Sequence, residues 1–82
     1  MLQKQTIDIA SVRVPAKRLK TLVAQKVEEI AESILENGQS TPIQLRTDGA
    51  GFVLIEGFHR LEALKLLGET TVVAYLVQPR LH

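Results

Sequence analysis

Gln5-Thr6-Ile7-Asp8-Ile9 alternates polar and apolar side chains, and Val12-Arg13-Val14 does so again. This predicts one edge or half-buried strand within residues 6–14, ended by Pro15. Residues 15–21 are basic and without a period, so a loop is expected there. From Leu22 the period becomes helical. Val23, Val27, Ile30, Ala31 and Ile34 fall on one stripe, with Lys26, Glu28, Glu29, Glu32 and Glu36 on the other faces. Thr21 is the expected N-cap, and Asn37-Gly38 supplies the left-handed stop that ends many helices.

Thr41-Pro42 then leads into a short alternating strand, Ile43-Gln44-Leu45-Arg46. Residues 47–51 form a hairpin-type turn before the apolar strand Phe52-Val53-Leu54-Ile55. A second helix is expected from Gly57 or Phe58, with Leu61, Leu64 and Leu67 inward and Gly68 as its stop. Residues 71–77 are β-branched and apolar, which predicts a buried, central last strand. Phe52 and Tyr75 alternate with apolar neighbours and are expected in the core. The order β-α-β-β-α-β with short connections predicts one compact α/β (α+β) domain over residues 1–82, two main helices on a small mixed sheet.

Composition narrows the chemistry. The chain has 82 residues, 45% hydrophobic and 23% charged, an ordinary globular balance. It has no cysteine, which removes disulfides, thiolate nucleophiles and Cys-based metal sites. Two histidines, His59 and the terminal His82, leave little for a metal, and none is expected. No apolar run approaches a membrane span and the first ten residues carry Lys4 and Asp8, so a cytoplasmic protein is the expectation. The net charge of +1 is unevenly divided. Residues 1–20 hold Lys4, Arg13, Lys17, Arg18 and Lys20 against Asp8 alone, while the remainder is net acidic. Arg13, Lys17, Arg18 and Lys20 therefore suit a phosphate-bearing partner such as DNA, or form a solvated basic loop.

The most informative stretch is Leu54-Ile55-Glu56-Gly57-Phe58-His59-Arg60, where an apolar strand runs through a glycine into a helix. A helix N-terminus presents unpaired N–H groups and a positive dipole end, which attract phosphate. Gly57 permits close approach and Arg60 can grip phosphate oxygens in two prongs. Cations at this end of a helix oppose its dipole, at a cost of several tenths of a kcal/mol, and a bound anion would account for them. The competing reading pairs Arg60 with Glu56 and leaves His59 on the surface. The acidic set Glu28, Glu29, Glu32 and Glu36 reads as a solvated helix exterior.

The run from Ile30 to Arg46, IAESILENGQSTPIQLR, resembles the ParB N-terminal domain, in which a helix reading LAxSIxxxG is followed by xxxPIxVR. Phe52 through Gly68 to Val77 resembles the same family's YELVxGERRxRAAKxAG…VPVxV block, so the likeness spans roughly residues 6–78. Where chromosome-partitioning members carry Glu-Arg-Arg after the glycine, this chain has Phe58, His59 and Arg60. The Gly-x-His-Arg form is similar to sulfiredoxins, which read Gly-Cys-His-Arg, and to free-serine kinases, which read Asp-Gly-His-His-Arg.

The resemblance implies a ParB/sulfiredoxin fold and a nucleoside triphosphate, CTP or ATP, with Mg2+ as an optional companion. Gly57, His59 and Arg60 are its phosphate-contacting candidates, and Thr41 and Pro42 match the second nucleotide-side motif in part. Phe58 in place of cysteine removes the peroxiredoxin-repair chemistry of sulfiredoxins. The kinases' catalytic glutamate falls before their first helix, where this chain has no acid between Asp8 and Glu28. Glu56 matches the acid before the glycine in those kinases and is the candidate base or magnesium ligand.

Three functions stay open. One is nucleotide binding in plasmid or chromosome partition-type, DNA-associated regulation. The second is a small phosphotransferase, NTPase or nuclease-like enzyme, and the third a non-catalytic adaptor. A homodimer or a protein partner fits any of them, with no membrane partner expected.

Overall fold

The computed structural model describes residues 3–39 and 41–77. Its strands are β1 (Lys4–Asp8), β2 (Val12–Arg13), β3 (Ile43–Asp48), β4 (Gly51–Glu56) and β5 (Thr71–Leu76). Its helices are α1 (Ala16–Leu19), α2 (Ala24–Asn37) and α3 (Phe58–Leu66). The strands form one mixed sheet in the order β1-β5-β3-β4-β2. β1 runs antiparallel to β5, β5 parallel to β3, β3 antiparallel to β4, and β4 parallel to β2.

The expected strand within residues 6–14 is two strands. A single 3-10 turn at Ile9–Ser11 separates them and sends them to opposite edges of the sheet. β1 pairs with β5 through Lys4↔Tyr75 to Asp8↔Thr71, whereas β2 pairs with β4 through Val12↔Phe52 and Arg13↔Val53. Residues 15–21 contain the one-turn helix α1 rather than loop alone. β5 is an interior strand, as its β-branched run predicts. Phe52 and Tyr75 are half-buried, because each stands on a strand position only partly covered by neighbours.

The helices cover one face of the sheet. Ile43, Leu45, Leu54 and Val72 project from that face and meet Phe58, Leu61 and Leu64 of α3 in the main core. The period-2 spacing of the strand residues and the helical spacing of Phe58, Leu61 and Leu64 interlock there. α2 reaches the core through small side chains, with Val27 and Ala31 packed on Ala63 of α3. Small residues at that seam let the two helices approach closely. Glu28, Glu29, Glu32 and Glu36 are exposed, as an amphipathic helix requires. No helix among the described residues is long and apolar enough to cross a membrane.

The α2–β3 connection is held by a side chain. Gln39 Nε2 donates to the Val73 carbonyl at 3.0 Å and to the Thr41 carbonyl at 3.1 Å, and the Val73 N–H donates to Gln39 Oε1 at 3.0 Å. The Gln39 amide thus imitates a peptide unit and continues the β3–β5 ladder beyond its Ile43↔Ala74 end. Thr41 and Pro42 are thereby fixed where the chain enters the sheet.

Candidate functional site

At the end of β4, Gly57 adopts φ +105°, a left-handed conformation that other residues rarely take. A Cβ at this position would lie 2.6 Å from Ile43 Cγ2 and 2.8 Å from Ile43 Cβ. The glycine is therefore required by backbone angle and by packing, before any ligand is considered. Its contact with Ile43 brings the segment after Thr41 and Pro42 against the same corner. Those two residues and Gly57 consequently share one end of the sheet.

α3 starts directly at Gly57, with the Leu61 N–H closing on the Gly57 carbonyl at 2.9 Å. No side chain caps this end and no acid stands in its first turn. α2 starts later than its pattern suggests. Its N-cap is Val23, and the expected cap, Thr21, instead donates its hydroxyl to the Arg18 carbonyl at 2.7 Å. α2 has neither a side-chain cap nor an acid in its first turn, and Lys26 lies within that turn.

His59 joins the two helix starts. The Val23 N–H donates to His59 Nε2 at 3.0 Å across the gap between α2 and α3. An imidazole nitrogen that accepts carries no proton, so the His59 proton resides on Nδ1 and that edge remains available as a donor. Phe58 supports the ring, with centroids 5.7 Å apart. The surface reading of His59 is thus replaced by a half-buried residue with a defined partner.

Arg18 is the second long-range tie. Its guanidinium donates to the Ile55 carbonyl and lies 3.9 Å from Glu56 Oε1. The hydrogen bond anchors it more than the ion pair, because the Glu56 side chain is 66% exposed and water screens the attraction. Glu56 therefore faces Arg18, not Arg60. Arg60 is half-buried and has no hydrogen bond or ion pair among the described residues.

The remaining cations divide. Lys17 and Lys20 are exposed beside Arg18 on the α1 segment. Arg13 is removed from the group, since it pairs with Asp48 at 3.0 Å near the β3–β4 hairpin. Val53, its partner in register, is three residues before Glu56, about 10 Å along the strand. The corner thus unites two helix starts with Arg18, Lys26 and Arg60, beside Glu56, and His59 links the two starts through the Val23 N–H.

Anions are favoured at helix N-termini and cations are not, so this arrangement suits a bound anion. Two hollows of about 400 and 280 Å3 are lined by none of Gly57, His59 and Arg60. Among the described residues no cluster of three or more His, Cys, Asp or Glu stands ready for a metal ion. Lys26 was hidden from a sequence reading because the expected start at Leu22 placed it beyond the first turn. A dipole test applied to the true α2 start would have found it.

The family model for the ParB N-terminal domain matches residues 2–81, so the chain belongs to that family. Sulfiredoxin from Arabidopsis thaliana matches with TM-score 0.84 at 25% identity, over 94% of this chain and 86% of that one. The chromosome-partitioning protein ParB from Caulobacter crescentus, complexed with CTP-gamma-S, matches with TM-score 0.81 at 20% identity, over 95% and 46%. A free serine kinase variant in complex with ADP gives TM-score 0.79 at 20% identity, over 92% and 31%. This chain spans under half of the partition protein and about a third of the kinase, and these two likenesses establish fold alone. Among curated proteins none matches this chain significantly.

Proposed function

We propose that this member of the ParB N-terminal domain family binds a nucleotide through its phosphates at the corner where α2 and α3 begin. The observation that carries this reading is the meeting of two helix N-termini that have no acid in their first turns, that hold Lys26 and Arg60, and that His59 bridges. One phosphate group sits on the free N–H groups of α3, as oxyanions do at such termini. Arg60 supplies the bidentate grip, and the outward Nδ1–H of His59 donates a further hydrogen bond. Gly57 shapes the corner, while Thr41 and Pro42 border it from the entry to β3. Structural neighbours held with CTP-gamma-S and with ADP support a nucleotide as the ligand class.

Mg2+, in this reading, arrives on the phosphates of CTP or ATP and is held by them rather than by a set of protein carboxylates. Glu56, 3.9 Å from Arg18 and largely exposed, does not serve as a base in this reading. A Glu56→Gln variant that abolishes a measurable turnover would reverse that assignment. Lys17 and Lys20 extend the positive field outward and suit the DNA backbone, consistent with a partition-type, DNA-associated role.

Calorimetric titration with CTP, ATP and ADP, each with Mg2+, tests the reading. Binding is expected to weaken with added salt and to fall at least about tenfold in Arg60→Ala, the loss of a hydrogen bond to a charged group. A folded protein that binds none of the three would refute it.

A further inference from the structure

α2 and α3 run side by side in the same direction. Their starts are joined by the Val23–His59 hydrogen bond, and Ile34 and Leu67 pack together near their other ends. Parallel helices gather opposite partial charges at the two ends of the pair. The starts suit an anion, and the finish of the pair suits a cation by the same rule.

The smaller of the two hollows, about 280 Å3, lies at that finish, between the end of α2, the turn after α3 and the start of β5. Ile34, Leu64 and Val73 give it an apolar lining, and Glu69 and Thr71 bring polar groups to it. Gln39 also borders it, but its amide is committed to Val73 and Thr41 and forms a fixed wall. Among the described residues the Glu69 carboxylate has no ion pair and no cation lines the hollow. The last turn of α2 holds no base. Lys65, in the last turn of α3, pairs with Glu62 at 3.0 Å and lines the larger hollow near the start of α2 instead. Asp8, in register with Thr71, adds a second carboxylate at this border of the sheet.

We infer that this hollow binds a small alkylammonium ion. A primary ammonium carries three donors and no acceptor. They match the Glu69 carboxylate, the Thr71 hydroxyl and a helix-end carbonyl, a group that has no partner within its own helix. The short alkyl chain rests on Ile34, Leu64 and Val73. A zwitterionic amino acid fits poorly, because its carboxylate would meet Glu69 and the negative ends of two helices. The Glu69 side chain is exposed, so water screens the attraction and the affinity lies in the millimolar range. The inference does not depend on the nucleotide reading, since the two sites lie at opposite ends of the helix pair.

Titration with n-butylammonium chloride at constant ionic strength, followed by NMR of the backbone amides, tests it without nucleotide. Saturable shifts are expected at Gly38, Gln39, Glu69 and Thr71, with Arg60 unmoved. n-Butanol and butyrate carry the same chain without the cation and should bind at least about threefold more weakly, the scale of one exposed charge pair. Glu69→Gln should weaken n-butylammonium by a similar factor and leave n-butanol unaffected. No saturable shift with n-butylammonium, equal binding of n-butanol, an affinity indifferent to Glu69→Gln, or shifts centred elsewhere would each overturn the inference.

Discussion

The two ends of β4 use similar residues to opposite effect. At the hairpin end, Arg13 meets Asp48 at 3.0 Å and its charge is matched by a carboxylate. At the other end, Arg18 is fixed mainly by a backbone carbonyl, which orients a guanidinium without cancelling its charge. Lys26 and Arg60 add to the same end, together with the starts of two helices. Both arginines come from the first 18 residues and both anchor the N-terminal segment to β3 or β4. The difference lies in which partner each arginine finds, a carboxylate for Arg13 and a carbonyl for Arg18.

The comparison can be broken most severely at Gly57. Gly57→Ala places a methyl group on Ile43 and forces an alanine into a left-handed conformation, so a loss of about 2–4 kcal/mol is expected in urea unfolding. A loss under about 1 kcal/mol would show that the corner relaxes and that its shape is not fixed by packing. Arg60→Ala should do the reverse. It should cost at least about tenfold in nucleotide affinity but leave unfolding within about 0.5 kcal/mol of the original, since Arg60 has no partner among the described residues to lose.

His59→Ala removes the acceptor for the Val23 N–H and should cost about 1 kcal/mol, the usual scale for a lost helix cap. Faster hydrogen exchange at Val23 would trace the loss to the start of α2. Arg13→Ala sharpens the contrast. Its ion pair is 63% and 48% exposed, so the effect on stability should be about 0.5 kcal/mol or less, with unchanged nucleotide affinity. A large affinity loss in that variant would extend the ligand site to the hairpin end.

The sequence was most readable from Ile43 to Leu76. There the periods of two and of 3.6 are clear, and Gly57 and Gly68 punctuate them. The N-terminal part was less so, for physical reasons. Alternation shows that residues 4–13 are extended, but it carries no sign that a 3-10 turn sends the two halves to opposite edges. Thr21 is a good capping residue by type, yet its hydroxyl turns back to Arg18 and the cap passes to Val23. The basic segment could be read as a charge cluster. Which of its members faces a carboxylate and which a carbonyl depends on contacts 35 and 37 residues away. Gln39 was equally silent, because an amide that imitates a peptide unit has no periodic signature.

The path of the first 13 residues also bears on how the sheet is completed. One short segment supplies both outer strands, β1 against β5 and β2 against β4, while the three inner strands and the helices come later. Lys4 finds its register only with Tyr75, so the strand synthesised first among those described waits for the strand synthesised last. Such distant pairing is slow in search. Until it occurs, the backbone groups of β5 that face β1 form an open sheet edge, the kind that recruits a second chain. The N-terminal segment thus exchanges the apolar β5 border of the sheet for β1, a short border strand that carries Lys4 and Asp8.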